Sequence, residues 1–236
     1  MQRSASISID QPEQSTKSLL EKRREQIEIT SVALFSERGY FQTTIEDISN
    51  KIGVGKGLIY RYFKDKNDVL FCALRAVLEK YKKENVLDLL GTLGPLAALR
   101  RILSINCSLA QQHTQEVILA YRSTTDLMPE QRQQIKAVES EIVEEIRQCL
   151  EACIAEGLMR PLDVKIMAYQ YVMFGHTWAL KHWALSKDFT ATEFVAVGED
   201  LLIEPFLTAK GRKQFNVIKS APAGSQIKSK HRPLRV

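Results

Sequence analysis

Lys56, Tyr60, Arg61, Tyr62, Lys64 and Lys66 fall within eleven residues, and no Asp or Glu interrupts the chain between Val54 and Lys64. Ammonium groups neutralise phosphates, a guanidinium can read base edges bidentately, and phenols bond to phosphate oxygens. The chemistry open to this cluster is therefore recognition of a polyanion, not bond making or breaking. Thr43 and Thr44 add hydroxyls upstream, and Gly55 would let a phosphate or base come close to the backbone. Gly57 shares the same outward side.

Such groups work only if something rigid presents them. Thr43 and Thr44 precede Glu46 and Asp47, so a hydroxyl N-cap is followed by carboxylates that complement a helix N-terminus. Ile45, Ile48 and Ile52 recur at helical spacing and form one buried stripe. Gly53 supplies the left-handed residue that ends that helix, and Val54 plugs the turn. In the next short helix Leu58, Ile59 and Phe63 point to the core, which leaves Lys56, Gly57, Tyr60 and Arg61 outward. Two helices meeting at so tight a turn form a helix-turn-helix whose second member suits the DNA major groove. Lys64, Lys66 and the N-terminus of a helix beginning near Asp68 are placed to bind backbone phosphate.

Residues 20–70 resemble the DNA-binding domain of the TetR family of bacterial one-component regulators. The resemblance rests on Thr44, Gly53-Val54, Lys56-Gly57, Tyr60-Arg61-Tyr62-Phe63, Lys66 and Asp68-Val69-Leu70, with Ile27, Leu34-Phe35 and Gly39-Tyr40 in the first helix. Thr30-Ser31 and Ile52 depart from the alanines common in the family. Gly55 replaces a common serine and removes a possible hydroxyl contact to DNA. The resemblance implies a homodimer, a double-stranded operator and a small-molecule effector held among the helices of the body.

The 236 residues, 44% hydrophobic, can bury a sizeable core. The net charge of +5 misleads, because the segment from Thr208 onward holds eight Lys or Arg and no Asp or Glu, and the rest nets −3. Residues 208–236 read as a basic disordered tail, either a nonspecific phosphate binder or a solvated end. Residues 1–17 read as a flexible arm and show no secretory signal. Arg3 and the run Lys22-Arg23-Arg24 either touch DNA or form a solvated face. Residues 18–66 are assigned to the DNA-binding domain and 67–207 to the effector-binding and dimerisation domain. Cys72, Cys107, Cys149 and Cys153 have no zinc-site spacing and read as buried packing residues.

Everything after the head has helical periodicity, so the fold class is all-α: an N-terminal three-helix helix-turn-helix DNA-binding domain plus a C-terminal helical ligand-binding and dimerisation domain. A connector helix is expected from about Asn67 to Leu90, with further helices to Gln112, over 115–125, over 130–156, over 163–186 and from Ala191 to Leu207. The segment 166–185 is nearly apolar all round but is interrupted by Gln170, His176, Thr177 and Lys181, which excludes a membrane span. His176 and His182 read as core histidines, because six residues apart they share no helix face. Leu103, Cys107, Tyr121, Arg122, Tyr171, Phe174 and Trp178 are the candidate effector pocket, with core or dimer-interface packing as the alternative. Gly175, Ala179, Trp183, Phe194, Leu201 and Leu202 are the candidate dimer interface.

No metalloprotease, nucleophile-elbow, phosphate-loop or dinucleotide signature appears, so no enzyme activity, metal or cofactor is expected. The function expected is a dimeric repressor in the bacterial cytoplasm, associated with the nucleoid. A small hydrophobic effector, in the class of acyl or aromatic thioesters, would release it from a near-palindromic operator. A ligand-independent DNA-binding or protein-recruiting helical dimer is the alternative.

Overall fold

The computed structural model describes residues 11–82 and 86–220. Arg3 lies outside them, as do residues 1–10 and 221–236 of the expected arm and tail. The described chain forms α1 (Gln11–Arg38), α2 (Ile45–Ile52), α3 (Lys56–Tyr60), α4 (Lys66–Lys82), α5 (Val86–Leu93) and α6 (Pro95–Gln112). It continues through α7 (Thr114–Ser123), α8 (Pro129–Ala155), α9 (Val164–Leu180), α10 (His182–Leu185), α11 (Ala191–Leu202) and α12 (Ala209–Ser220). Among the described residues there is no strand, only one antiparallel bridge between Met159 and Leu207. No described helix is long and apolar enough to cross a membrane.

Three expectations change. Residues 11–17, expected as an arm, are the first turns of α1. Residues 209–220, expected in a disordered tail, form α12, which buries Gly211 and Phe215. The helix expected to reach Ser186 stops at Leu180 and is followed by the one-turn α10.

The chain divides into two compact units that do not follow the division expected at residue 66. Of the described residues, the first comprises 11–81 and 112–139, the second 82, 86–111 and 140–220. In the first unit, Ile27, Leu34 and Phe35 of α1 pack with Ile45 and Ile48 of α2, Ile59 of α3, Phe63, and Val69, Leu70 and Leu74 of α4. Leu119 of α7, Leu127 and Ile135 of α8 complete that core. A polar stitch accompanies them: Asn67 Nδ2 donates to the Asp126 carbonyl at 2.8 Å, and its Oδ1 accepts from Met128 N at 3.2 Å.

The second unit is centred on α6, the later turns of α8, and α9. Leu96, Leu99, Leu103, Ile146, Leu150, Cys153 and Tyr171 are almost wholly buried there. Arg100 of α6 donates to Glu199 of α11 at 2.6 Å and to the Ile218 carbonyl of α12 at 3.3 Å. Lys219 lies 3.6 Å from the same carboxylate, so one buried acid ties three helices together. The junction before α12 is held by backbone: Thr208 N donates to Leu158 O at 3.0 Å and Arg160 N to Phe206 O at 2.8 Å.

The four cysteines are unbridged; Cys107, Cys149 and Cys153 are buried and Cys72 half-buried. Burial pushes the Cys107 and Cys153 thiols up to about 12 and that of Cys149 to about 11, so all three are protonated packing groups. Burial also pushes His176 down to about 4, which keeps it neutral, whereas His182 is exposed and sets its ring edge-on to Trp178.

Candidate nucleic-acid interface

The helix-turn-helix forms for reasons legible residue by residue. Asp47 N donates to Thr44 Oγ1 at 3.1 Å and Thr44 N donates back to Asp47 Oδ2 at 2.8 Å, closing a capping box at the head of α2. The Thr44 hydroxyl, which donates to Asp47 Oδ2 at 2.6 Å, and then the Thr44 N–H hold the Asp47 carboxyl below its ordinary value. Gly53 ends α2 at φ 78°, a left-handed conformation that costs a side-chain-bearing residue. Val54 N then reaches back to Ser49 O at 3.0 Å. Ile59 and Phe63 are buried, and Phe63 carries the Arg24 guanidinium 5.3 Å above its ring.

That anchoring turns Gly55, Lys56, Gly57, Tyr60, Arg61 and Lys64 to the surface, Tyr60 at 55% exposure. Four other expected DNA-contacting groups are placed differently. Thr43 is fully buried, and its hydroxyl donates to Gly39 O at 2.9 Å. Tyr62 is half-buried against the core of the unit. Lys66 Nζ donates to Tyr40 O and Thr43 O, both at 2.9 Å, and lies 4.4 Å from the Tyr40 ring centroid. Its charge closes the loop between α1 and α2. The N-terminus of α4 is filled by the chain's own acids: Asp65 accepts from Asp68 N at 2.8 Å and Asp68 from Lys64 N at 2.9 Å. Thr44 remains exposed, with its hydroxyl donating to Asp47.

Of the basic run on α1, Arg24 is engaged with Glu28 and with the Cys72 sulfur at 3.1 Å, within the unit. The sequence places Glu46 only beside the helix N-terminus and does not show its ion pair. Glu46 of α2 meets Lys56 of α3 at 2.8 Å across the turn, so the recognition helix carries a partly cancelled charge. An exposed pair of this kind contributes about 0–1 kcal/mol. Glu46→Gln should therefore leave folding unchanged, tighten binding to random-sequence DNA and steepen its salt dependence by roughly one phosphate contact. An unaltered slope in a salt titration would show that Lys56 is not restrained by Glu46.

The candidate pocket residues fall in both units. Leu103, Cys107, Tyr171, Phe174 and Trp178 belong to the second, where Phe174 stacks on Phe194 with ring centroids 4.4 Å apart and Trp178 lies 5.1 Å from Phe194. Tyr121 and Arg122 belong to the first unit and lie on its surface, Tyr121 at 51% exposure. Asn106, buried on α6 among apolar neighbours, was missed; a lone amide in the run Leu103–Ala110 was the available signal.

The candidate interface residues also separate. Gly175, Ala179 and Phe194 are buried within the subunit, and Gly175 faces the Asn106 backbone of α6. That close approach is intramolecular, which removes these three from a surface role. Trp183 and Leu201 are exposed, Trp183 at 70%, and Leu202 is half-buried. On α9, Ile166, Tyr169 and Met173 share a second exposed face.

Two family models match the chain: "Bacterial regulatory proteins, tetR family" over residues 30–72, and "Tetracyclin repressor-like, C-terminal domain" over residues 92–183. The HTH-type transcriptional regulator HbdR of Aromatoleum sp. (strain CIB) is 42% identical over 194 residues, 82% of this chain and 85% of that protein. Among solved structures, the ketosteroid transcriptional regulator KstR2 of Mycobacterium tuberculosis superposes with a TM-score of 0.67 at 21% identity, over 79% of this chain and 95% of that one. AibR in complex with isovaleryl coenzyme A and operator DNA superposes with a TM-score of 0.68 at 21% identity, over 78% and 100%. At such identities the two superpositions speak for the fold.

Proposed function

Because the chain belongs to the TetR family of bacterial regulatory proteins and is a helix-turn-helix transcriptional regulator, we propose that it is a homodimeric repressor released from a near-palindromic operator by a small hydrophobic effector. The observation that carries this reading is the outward face of α3 and its flank, where Lys56, Tyr60, Arg61 and Lys64 stand over the buried Ile59 and Phe63. A recognition helix works only when its back is fixed and its front is free. The exposed apolar side chains Ile166, Tyr169, Met173, Trp183 and Leu201 support a twofold partner surface, since large apolar groups gathered at a surface mark association sites. Pairing would set the two recognition helices about 34–36 Å apart, one turn of B-DNA.

The effector class we favour is an acyl or aromatic thioester. Phe174, Phe194 and Trp178 supply the aromatic wall such a molecule needs, and AibR, a protein of the same fold, is described with isovaleryl coenzyme A. Release requires the effector to prefer the conformer that cannot bind DNA, and full reversal of a strong bias needs about 5.5 kcal/mol of differential affinity. The reading places the protein in the bacterial cytoplasm with its operator.

Selection of a binding site from random duplex DNA, followed by gel shifts, tests the reading. Arg61→Ala should lose about 1–3 kcal/mol of operator binding and relax the preference at one position. A loss equal across all sequences would reduce Arg61 to a phosphate contact. Tyr60→Ala should weaken the complex while sedimentation still reports a dimer. Unchanged affinity in both variants, or a wild-type monomer, would defeat the proposal.

A further inference from the structure

Three donor groups in the interior of the second unit have no acceptor among the described residues. Asn106 Nδ2, Tyr171 Oη and Trp178 Nε1 are all without a hydrogen-bond partner, in residues exposed by only 5%, 0% and 3%. Folded proteins bond nearly all such groups, so three together need a reason.

They lie along one seam. Tyr171, Gly175 and Trp178 follow one another at four and three residues on a single face of α9. Gly175 brings that face onto α6: a methyl there would lie 3.0 Å from the Asn106 carbonyl oxygen and 3.3 Å from Asn106 Cβ. Asn106 thus stands opposite the middle of a line that runs about 10 Å along α9. Leu103 and Phe174 meet beside it at Gly198, and Phe194 covers Phe174 and Trp178.

The chemistry of the missing partner follows from the donors. An amide NH2 and an indole N–H can only donate, so the partner must present accepting oxygens. It must also be neutral. Asn106, Tyr171 and Trp178 carry no charge, Arg100 of α6 is already engaged with Glu199, and a buried carboxylate without a counter-charge is strongly disfavoured. One carbonyl cannot serve donors spread over such a length, whereas a chain that repeats carbonyls can.

We infer that the α6–α9 seam is a binding site for an elongated neutral molecule with an apolar or aromatic end and more than one carbonyl oxygen, held by Asn106, Tyr171 and Trp178. The inference rests on the effector reading above and specifies which residues select it: a thioester with an amide-bearing arm fits, and the corresponding free acid does not.

The test uses the full chain, with benzoyl and octanoyl N-acetylcysteamine thioesters as probes and benzoate and octanoate as controls. Fluorescence is read with Trp183→Phe, so that Trp178 is the only indole. Melting temperature and operator binding are read with Trp183 intact, because it belongs to the proposed partner surface. The thioesters should change Trp178 fluorescence and raise the melting temperature, with the acids at least roughly tenfold weaker. Asn106→Leu and Tyr171→Phe each remove a donor while keeping most of the side chain's volume. Each should weaken thioester binding by roughly threefold to tenfold while the unliganded melting temperature holds or rises, because no bond within the chain is lost. The site is overturned if the thioesters do not bind, if the acids bind equally, if both variants bind like wild type, or if both variants melt lower without ligand. The last result would mean the donors serve buried water. Operator binding measured in parallel separates the two readings: a protein that binds its operator and responds to some other molecule loses only this site, and one that binds no operator loses the regulator proposal.

Discussion

Lys66→Met is expected to weaken operator binding more than tenfold through the loop that this lysine holds. Its ammonium donates to Tyr40 O and Thr43 O at 2.9 Å and reaches Phe41 O at 3.4 Å, over the Tyr40 ring. These carbonyls belong to the loop that delivers Thr44 to the head of α2. Hydrogen bonds from a charged donor are worth about 1.5–3 kcal/mol each; with water replacing part of that at a half-buried site, the variant should lose about 2–4 kcal/mol. The loop would then no longer fix where α2 begins, and α3 would inherit the error through Gly53. The readout distinguishes this from direct contact. Removing a phosphate contact lowers the salt slope of DNA binding by about one, whereas loss of positioning leaves the slope unchanged and speeds hydrogen exchange around residues 40–45. A reduced slope with unchanged exchange would return Lys66 to the DNA surface.

Gly211→Ala should destabilise the protein by about 3 kcal/mol, a fall of roughly 6–12 °C in melting temperature. Helix propensity argues the other way, since alanine is favoured over glycine by about 1 kcal/mol inside a helix. Packing decides, because a methyl on Gly211 would overlap the Leu158 carbonyl oxygen. That oxygen is held in turn by Thr208 N at 3.0 Å, and Gly157 O by the Thr208 hydroxyl at 2.7 Å. Two backbones in contact have no rotamer with which to relieve the strain. Gly91→Ala on exposed α5, where an added methyl meets nothing within 4 Å, is the control and should gain up to about 1 kcal/mol. Equal thermal unfolding of Gly211→Ala and wild type would mean that α12 is not docked as described.

The contrast between these two sites explains what the sequence could and could not say. The segment from Thr44 to Phe63 was legible because its determinants are local: a cap, an isoleucine stripe, a left-handed glycine. The fate of Thr43 and Lys66 was not, because their partners, Gly39 O and Tyr40 O, lie in a loop whose path no periodicity records. Helix α12 was hidden for a related reason. Its basic composition resembles a tail, and what docks it is one phenylalanine, one glycine, bonds to the backbone of residues 157 and 158, and the contacts of Ile218 O with Arg100 and of Lys219 with Glu199. On α9 Met167, Tyr171 and Trp178 are buried, but small residues say only that something comes close. Gly175 admits α6 of its own subunit, and the exposed large apolar residues of α9 are Ile166, Tyr169 and Met173. Tyr121 and Arg122 lie in the first unit, because α7 returns to the core built by α1.

The contact between Glu46 and Lys56 has a kinetic consequence. A regulator must sample an enormous excess of irrelevant sequence, and every cation on its reading face prolongs each fruitless stop. A carboxylate that occupies one of those cations at rest shortens the dwell on arbitrary duplex, and only a site offering enough other bonds repays the exchange. The acid beside the reading helix thus trades grip for speed of search.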